Sequence, residues 1–152
     1  MKVEYINPFV RAASEVLERE LGCAFQQGAA SLHRSAYTTH DVTLLVAVSG
    51  DVRGVVLYCF AEAAACAIAA ALLGQELPEF DDLAQSGIAE LGDLITTAAG
   101  AYLSDAGYHA TLSAPTLLIG TGTMVSALDL PRLVVPLMSD VGSLEIHIAL
   151  RA

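Results

Sequence analysis

Two carboxylates and two hydroxyls stand in one row along a predicted helix. Ser86, Glu90 and Asp93 occupy positions i, i+4 and i+7, and Thr97 continues the row. On a helix of 3.6 residues per turn, these positions fall within about 60° of one another. Two acids on one face of an otherwise apolar helix indicate a surface that meets a polar partner, one that offers Lys or Arg. A solvated helix face without any partner is the alternative, and these residues alone leave it open.

The helix that carries this row is predicted to begin after Asp81 or Asp82, either of which can cap it, and to run to about Asp105. Its opposite face predicts a stripe that packs on the core, made of Ile88, Leu91, Ile95, Ala98 and Tyr102. Gly87 and Gly92 lie inside the helix, where each glycine costs about 1 kcal/mol relative to alanine. They indicate that another backbone approaches closely, from within the fold or from a partner.

Two hairpins and two further helices are predicted around this helix. One helix covers residues 8–21, with Asn7 as its cap and Gly22 at its end. The first hairpin turns at Ser49-Gly50-Asp51 and the second at Ser139-Asp140. The remaining predictions are strands from 31 to 60, a helix over 61–73, and strands over 108–113, 116–119, 133–138 and 144–150.

These elements predict an α/β fold of the α+β kind, in one domain over residues 1–152. Its sheet is largely antiparallel, two long helices pack on one face, and the helix with the polar row is exposed. The two hairpins have similar sequences, which favours an internal duplication with a pseudo-two-fold repeat. Two similar hairpins could also arise by chance.

Composition excludes several function classes. The net charge is −10, with 17 acidic and 7 basic residues, which argues against a nucleic-acid partner. The longest apolar run, residues 63–73, is too short to span a bilayer, and the N-terminus has no apolar signal region. The cysteines, Cys23, Cys59 and Cys66, are predicted to be buried thiols of a reducing compartment. A soluble cytoplasmic domain without membrane contact follows as the expectation.

Other chemistries find little support in the sequence. Two carboxylates at i and i+3 without a histidine on the same helix make a poor metal site, so no metal or cofactor is predicted. His147 alternates with Ile146 and Ile148 and is predicted to face solvent from a strand. The segment Gly120-Thr-Gly-Thr lacks the lysine of a phosphate-binding loop and is predicted to be a turn.

The chain resembles the CheX branch of the CheC/CheX/FliY chemotaxis phosphatases. The resemblance extends over nearly the whole length, through VEYINPF, SGDVRGVV, SGIAELGDLI, YLSDAGY, SAPTLLIGTG and SDVGSLEIHIAL. The family motif has a small polar or acidic residue, Glu four residues later, Asn three later and Pro about twenty-two later. Ser86, Glu90, Asp93 and Pro115 stand at these positions, so an aspartate replaces the asparagine.

The resemblance implies hydrolysis of the aspartyl phosphate on a CheY-type response-regulator receiver. It gives Glu90 the role of pairing with the receiver's lysine and Asp93 the position that orients the attacking water. Ser86, Thr97 and Pro115 are then partner-binding residues. Mg²⁺ is expected from the receiver, and a homodimer is expected because CheX proteins typically form one.

Asp93 is where the chain departs from the family. An asparagine can donate and accept hydrogen bonds, whereas an ionised aspartate only accepts. At about 4 Å and an effective dielectric constant near 20, two like charges repel by roughly 4 kcal/mol. Weak or absent phosphatase activity is therefore expected unless Asp93 is protonated. The alternatives are a non-catalytic module that binds a receiver or another signalling protein through the same helix, and a structural dimer in which Glu90 and Asp93 have no role.

Overall fold

The computed structural model describes residues 2–35, 37–125 and 130–152. The helices of these segments are α1 (Val3–Leu21), α2 (Glu62–Leu73) and α3 (Asp82–Asp105). The strands are β1 (Gln26–Gln27), β2 (Ser31–His33), β3 (Tyr37–Thr38), β4 (Val42–Gly50), β5 (Arg53–Phe60), β6 (Ala110–Leu112), β7 (Thr116–Ile119), β8 (Met124–Val125), β9 (Arg132–Met138) and β10 (Leu144–Arg151). Within those segments, no helix has the length and apolar character needed to cross a membrane.

The main sheet is antiparallel, as predicted. Its strand order is β1-β9-β10-β5-β4-β6, with β2 also paired to β9 and β7 also paired to β4. Both predicted hairpins form, as β4–β5 and β9–β10, and β10 and β5 lie side by side at the centre of the sheet. The proposed internal duplication stays a prediction.

The long helices α1 and α3 contact each other and pack their apolar faces on one side of the sheet. Alternate strand residues face them because side chains along a strand point to opposite faces. The largest fully buried side chains of this core are Phe9, Leu17, Leu44, Tyr58, Phe60, Ile68, Ile88, Leu91, Ile95, Leu103 and Leu137. The fold therefore holds α3 by one face and leaves the other face in solvent.

Helix α1 begins earlier than predicted. Pro8 was expected in its first turn with Asn7 as cap, but the helix starts at Val3 and Pro8 lies inside it. Proline cannot donate the hydrogen bond to the carbonyl of Glu4 and its ring crowds that carbonyl, but Glu4 is exposed to water, which can hydrate the freed carbonyl. Burial of Tyr5 and Ile6 against the core favours the extra turn. Gly22 ends the helix with φ 68°, as predicted.

The second face of the sheet is covered at its centre, so the prediction that His147 faces solvent is wrong. His147 is 4 % exposed and lies under Tyr37 of the separate β3–β8 ribbon, with ring centroids 4.7 Å apart. Arg132 Nε donates to its Nδ1 at 2.8 Å. The prediction of three buried thiols is wrong for two of them: Cys59 is buried, whereas Cys23 and Cys66 are half-buried.

Candidate functional site

The predicted polar row is exposed along α3. Ser86, Glu90, Asp93 and Thr97 all face solvent, on a helix of 24 residues. The helix begins as predicted, because the Asp81 side chain accepts a hydrogen bond from the N–H of residue 84 at 2.9 Å. We call these four exposed residues the polar stripe.

The buried face of α3 holds the stripe in place. Ile88, Leu91 and Ile95 are fully buried, as predicted, and the seam continues through Ala99 and Leu103. Ala98 and Tyr102, which were assigned to the same seam, are only half-buried. Both pack against the edge of the same core, and Tyr102 also contacts α1.

Polar contacts fix the margin between α1 and α3. The Tyr102 hydroxyl donates to the Glu15 carboxylate, and Arg11 lies 4.1 Å above the tyrosine ring while it also pairs with Glu15. The hydrogen bond from Tyr102, followed by that from Arg11, holds the pKa of Glu15 below its usual value. All three side chains belong to the helix–helix contact, which stabilises the direction of α3.

Two glycines of α3, Gly87 and Gly92, lie against side chains of neighbouring elements. A Cβ on Gly87 would lie 3.4 Å from Leu73 Cδ1 of α2. A Cβ on Gly92 would lie 3.0 Å from Leu44 Cδ1 of β4 and 3.3 Å from Cβ and Cγ of Pro115. Only Gly92 is closely approached, and the atoms nearest to both glycines belong to side chains of the fold, so the prediction that another backbone approaches them is wrong.

Pro115 reaches α3 through this contact. It lies 22 positions after Asp93 in the sequence, yet it packs on Gly92, the residue that precedes Asp93. The five predicted site residues thus lie in one region of the structure, with the four residues of the polar stripe on α3 and Pro115 beside that helix. Sequence reasoning missed two neighbours of the site. Leu83 is 43 % exposed one turn before Ser86, and Ser113 precedes Pro115.

The two acids of the stripe face solvent without a counter-charge from the described segments. In the segments that the structure describes, neither Glu90 nor Asp93 forms a salt bridge. The Thr97 hydroxyl donates to the backbone carbonyl of Asp93 at 2.9 Å, so it is engaged within the helix. The same segments hold no group of three or more His, Cys, Asp or Glu that could bind a metal. The stripe can accept hydrogen bonds and pair with cations that a partner supplies.

Comparisons with known proteins agree on one family. The sequence model of the family described as chemotaxis phosphatase CheX matches residues 42–138. The CheY-P phosphatase CheX of Thermotoga maritima is 25 % identical over 121 residues, which cover 79 % of this chain and 78 % of that protein.

Solved structures of relatives share the fold. A CheC-like superfamily protein from Shewanella sp. PV-4 superposes with a TM-score of 0.88 at 25 % identity, and each chain is covered fully. CheX in the CheX–CheY–BeF₃–Mg²⁺ complex from Borrelia burgdorferi gives a TM-score of 0.82 at 25 % identity, with 99 % of this chain and 100 % of that chain covered.

Proposed function

This chain belongs to the CheX family of chemotaxis phosphatases, and we propose that it docks the phosphorylated receiver domain of a CheY-type response regulator and promotes hydrolysis of its aspartyl phosphate. The observation that carries the proposal is the exposed polar stripe on α3, whose two acids form no salt bridge within the described segments, with Pro115 packed beside it. The names of two relatives support the choice of partner: one is a CheY-P phosphatase, and another is bound to CheY.

In this proposal the chain contributes positioning and no covalent chemistry. Glu90 pairs with a lysine of the receiver, and Asp93 accepts a hydrogen bond from the attacking water. The water oxygen bonds to phosphorus, the bond from phosphorus to the receiver's aspartate breaks, and inorganic phosphate and a free carboxylate result. Phosphoryl transfer depends mainly on such placement of water and on charge stabilisation. Mg²⁺ is assigned to the receiver, in keeping with the Mg²⁺ in the CheX–CheY complex.

We propose that Asp93 weakens this activity relative to relatives with an amide at the position. An ionised Asp93 would approach a phosphoryl group of like charge, with a repulsion of roughly 4 kcal/mol at about 4 Å. A barrier raised by even about 2.7 kcal/mol slows a reaction about 100-fold. No cation of the described segments pairs with Asp93 to reduce that repulsion.

The same feature favours a second candidate, a module that binds the receiver without hydrolysing its phosphate. Docking requires the exposed stripe and its apolar surroundings, whereas hydrolysis requires the side-chain atom at position 93 to orient water. A carboxylate at position 93 is therefore expected to impair hydrolysis more than docking.

The experiment mixes the protein with phosphorylated receiver from the same organism and Mg²⁺, and measures binding and phosphate release. An enzyme accelerates release, and Glu90→Ala abolishes the acceleration. Asp93→Asn is expected to raise the rate about 100-fold, if an ionised Asp93 limits it. Glu4→Ala is the control, because it removes the same charge from an exposed site on α1, at the end remote from the stripe.

The outcomes separate the candidates. Binding without faster release, in the wild type and in Asp93→Asn, would support the module and reject the enzyme. An Asp93→Asn variant that binds and has an unchanged rate would show that position 93 does not orient the water. No binding to any receiver of the organism would reject both candidates.

A homodimer is also proposed, from the family resemblance. Large apolar side chains at the surface are consistent with it; Leu32 is 54 %, Ile119 55 % and Met124 70 % exposed. Light scattering at micromolar concentration tests the proposal, and a monomer mass at every concentration would reject it.

A further inference from the structure

The edge of the sheet beside α3 contains one extra residue. Strand β6 pairs with β4 so that Leu112 lies opposite Val48, whereas β7 pairs with it so that Thr116 lies opposite Leu45. Three residues, 113–115, therefore face only two residues of β4, 46 and 47. This is the arrangement of a β-bulge, which bends a strand and redirects its side chains. We call residues 113–115 the edge bulge.

Ser113 closes the edge bulge with its side chain. Its backbone N–H donates to the carbonyl of Ala47 at 2.9 Å, and its Oγ accepts the N–H of Ala47 at 2.9 Å. In a regular antiparallel pair, the second bond would go to the backbone carbonyl of Ser113. Because the hydroxyl takes that bond, the backbone is free to leave the ladder after Ser113 without leaving the N–H of Ala47 unpaired.

The backbone that leaves the ladder leads directly to Pro115. Proline has no N–H to give to a ladder and is typical of edges and bulges. Its ring packs on Gly92, where an added Cβ would lie 3.3 Å from Cβ and Cγ of Pro115 and 3.0 Å from Leu44 Cδ1 in the core. The position of Pro115 beside Gly92 is therefore set by the bulge and not by the sequence of α3.

We propose that Ser113 is a positioning residue for receiver docking, because its hydroxyl holds the bulge that keeps Pro115 against α3. This inference rests on the proposed function. Ser113 itself is exposed, and its role is exerted through Pro115. Loss of the hydroxyl leaves the N–H of Ala47 without its acceptor, and the bulge can then rearrange toward a regular ladder that draws Pro115 away from Gly92.

Ser113→Ala tests the proposal, with Ser113→Thr as the variant that retains the hydroxyl. Thr111→Ala is the matched control, since Thr111 is also exposed on the same edge two residues earlier. Binding to a receiver loaded with BeF₃⁻ and Mg²⁺ is titrated for each variant. Ser113→Ala is expected to weaken binding about fivefold, as is typical for one hydrogen bond, while Ser113→Thr and Thr111→Ala bind as the wild type does.

Amide hydrogen exchange supplies the structural readout. Exchange at Ala47 is expected to accelerate in Ser113→Ala and to stay slow in Ser113→Thr. A purely structural role would change exchange at Ala47 and leave receiver binding intact, which would overturn the proposal. Equal binding of Ser113→Ala and wild type, with binding still lost in Glu90→Ala, rejects the role of Ser113 alone. A wild type that binds no receiver rejects the proposed function, and the positioning role with it.

Discussion

Substitution of Gly92 by alanine tests whether α3 and the segment that carries Pro115 are as closely packed as the structure has them. A methyl group at Gly92 would lie 3.0 Å from Leu44 Cδ1 and 3.3 Å from two carbons of Pro115. Optimal carbon–carbon contacts are about 3.5–4.0 Å, so the neighbours must move. Leu44 is fully buried and has no solvent to move into.

Two effects of opposite sign determine the change in stability. Replacement of glycine by alanine inside a helix stabilises it by about 1 kcal/mol. Overpacking of a close-packed core costs about 1–3 kcal/mol. Gly92→Ala is therefore expected to lie between neutral and about 2 kcal/mol destabilising, although alanine has the higher helix propensity.

The same helix offers matched controls. A Cβ on Gly100 would meet no heavy atom within 4 Å, so Gly100→Ala is expected to gain the full helix propensity of about 1 kcal/mol. The contacts of a Cβ on Gly87 begin at 3.4 Å, an ordinary van der Waals distance, so that variant should also gain stability. The expected difference between Gly92→Ala and Gly100→Ala is about 1–3 kcal/mol in the free energy of unfolding.

Urea denaturation of the three variants measures these differences directly. Since Pro115 must move, Gly92→Ala should also weaken binding to the receiver, whereas Gly100→Ala should not. If Gly92→Ala stabilises the protein as much as Gly100→Ala does, Leu44 and Pro115 do not pack closely on Gly92, and Pro115 is not held against α3.

Three further predictions concern the core and the sheet. The fully buried Tyr58 hydroxyl has no hydrogen-bond partner among the described residues. Tyr58→Phe should therefore raise the free energy of unfolding, measured in urea, by about 1 kcal/mol. A lower free energy of unfolding would reveal a partner such as an ordered water. Asp41 Oδ2 accepts a hydrogen bond from the N–H of Glu62 at 2.9 Å and so caps the start of α2. Asp41→Ala should lower the free energy of unfolding by about 1 kcal/mol in the same urea assay. An unchanged midpoint of urea denaturation would contradict the cap. Burial lowers the pKa of His147 to about 4, so as the pH falls the unfolded chain binds this proton before the folded protein does. The free energy of unfolding should therefore fall as the pH drops from about 6.5 to about 4, by at most about 1.4 kcal/mol per pH unit. His147→Gln should remove that part of the pH dependence.

Local sequence signals predicted most of the helix ends and the first hairpin that support the polar stripe. Asp81 caps α3, Gly22 ends α1 in the left-handed conformation, and the first hairpin forms with its turn at residues 51–52, within two residues of the predicted Ser49-Gly50-Asp51. Each of these is decided by a few neighbouring residues, which is why composition and periodicity sufficed. The exposed face of α3 follows from the same kind of local evidence, because its polar and apolar residues separate at helical spacing.

The failures have causes that are distant in sequence. His147 was predicted to face solvent because it alternates with two isoleucines, and a strand with one covered face gives that pattern. Tyr37 and Arg132 cover the other face, and nothing near His147 indicates them. The start of α1 was misplaced for a related reason, since packing of Tyr5 against Tyr108 outweighs the signal of Pro8.

The edge bulge is the part of the site that sequence reasoning could not have found. A bulge is a property of register, and the register of β6 and β7 depends on β4, which lies more than sixty residues earlier in the chain. Only the serine, the proline and the short strands around them are visible in the sequence, and those fit an ordinary turn equally well.

In the proposed function, docking and hydrolysis depend on different residues, so substitutions can test them separately. The surface that would meet a receiver combines a helix face, set by local periodicity, with Pro115, set by a distant strand register. Gly92→Ala and Ser113→Ala are expected to displace Pro115 and do not alter the side chains of Glu90 and Asp93 chemically, so they should act on binding. Asp93→Asn replaces one oxygen by an NH₂ group on an exposed side chain and should act on the rate. If all three variants changed binding and rate in the same proportion, the docking surface and the water-orienting position would be one unit, and an aspartate at position 93 would have to affect both.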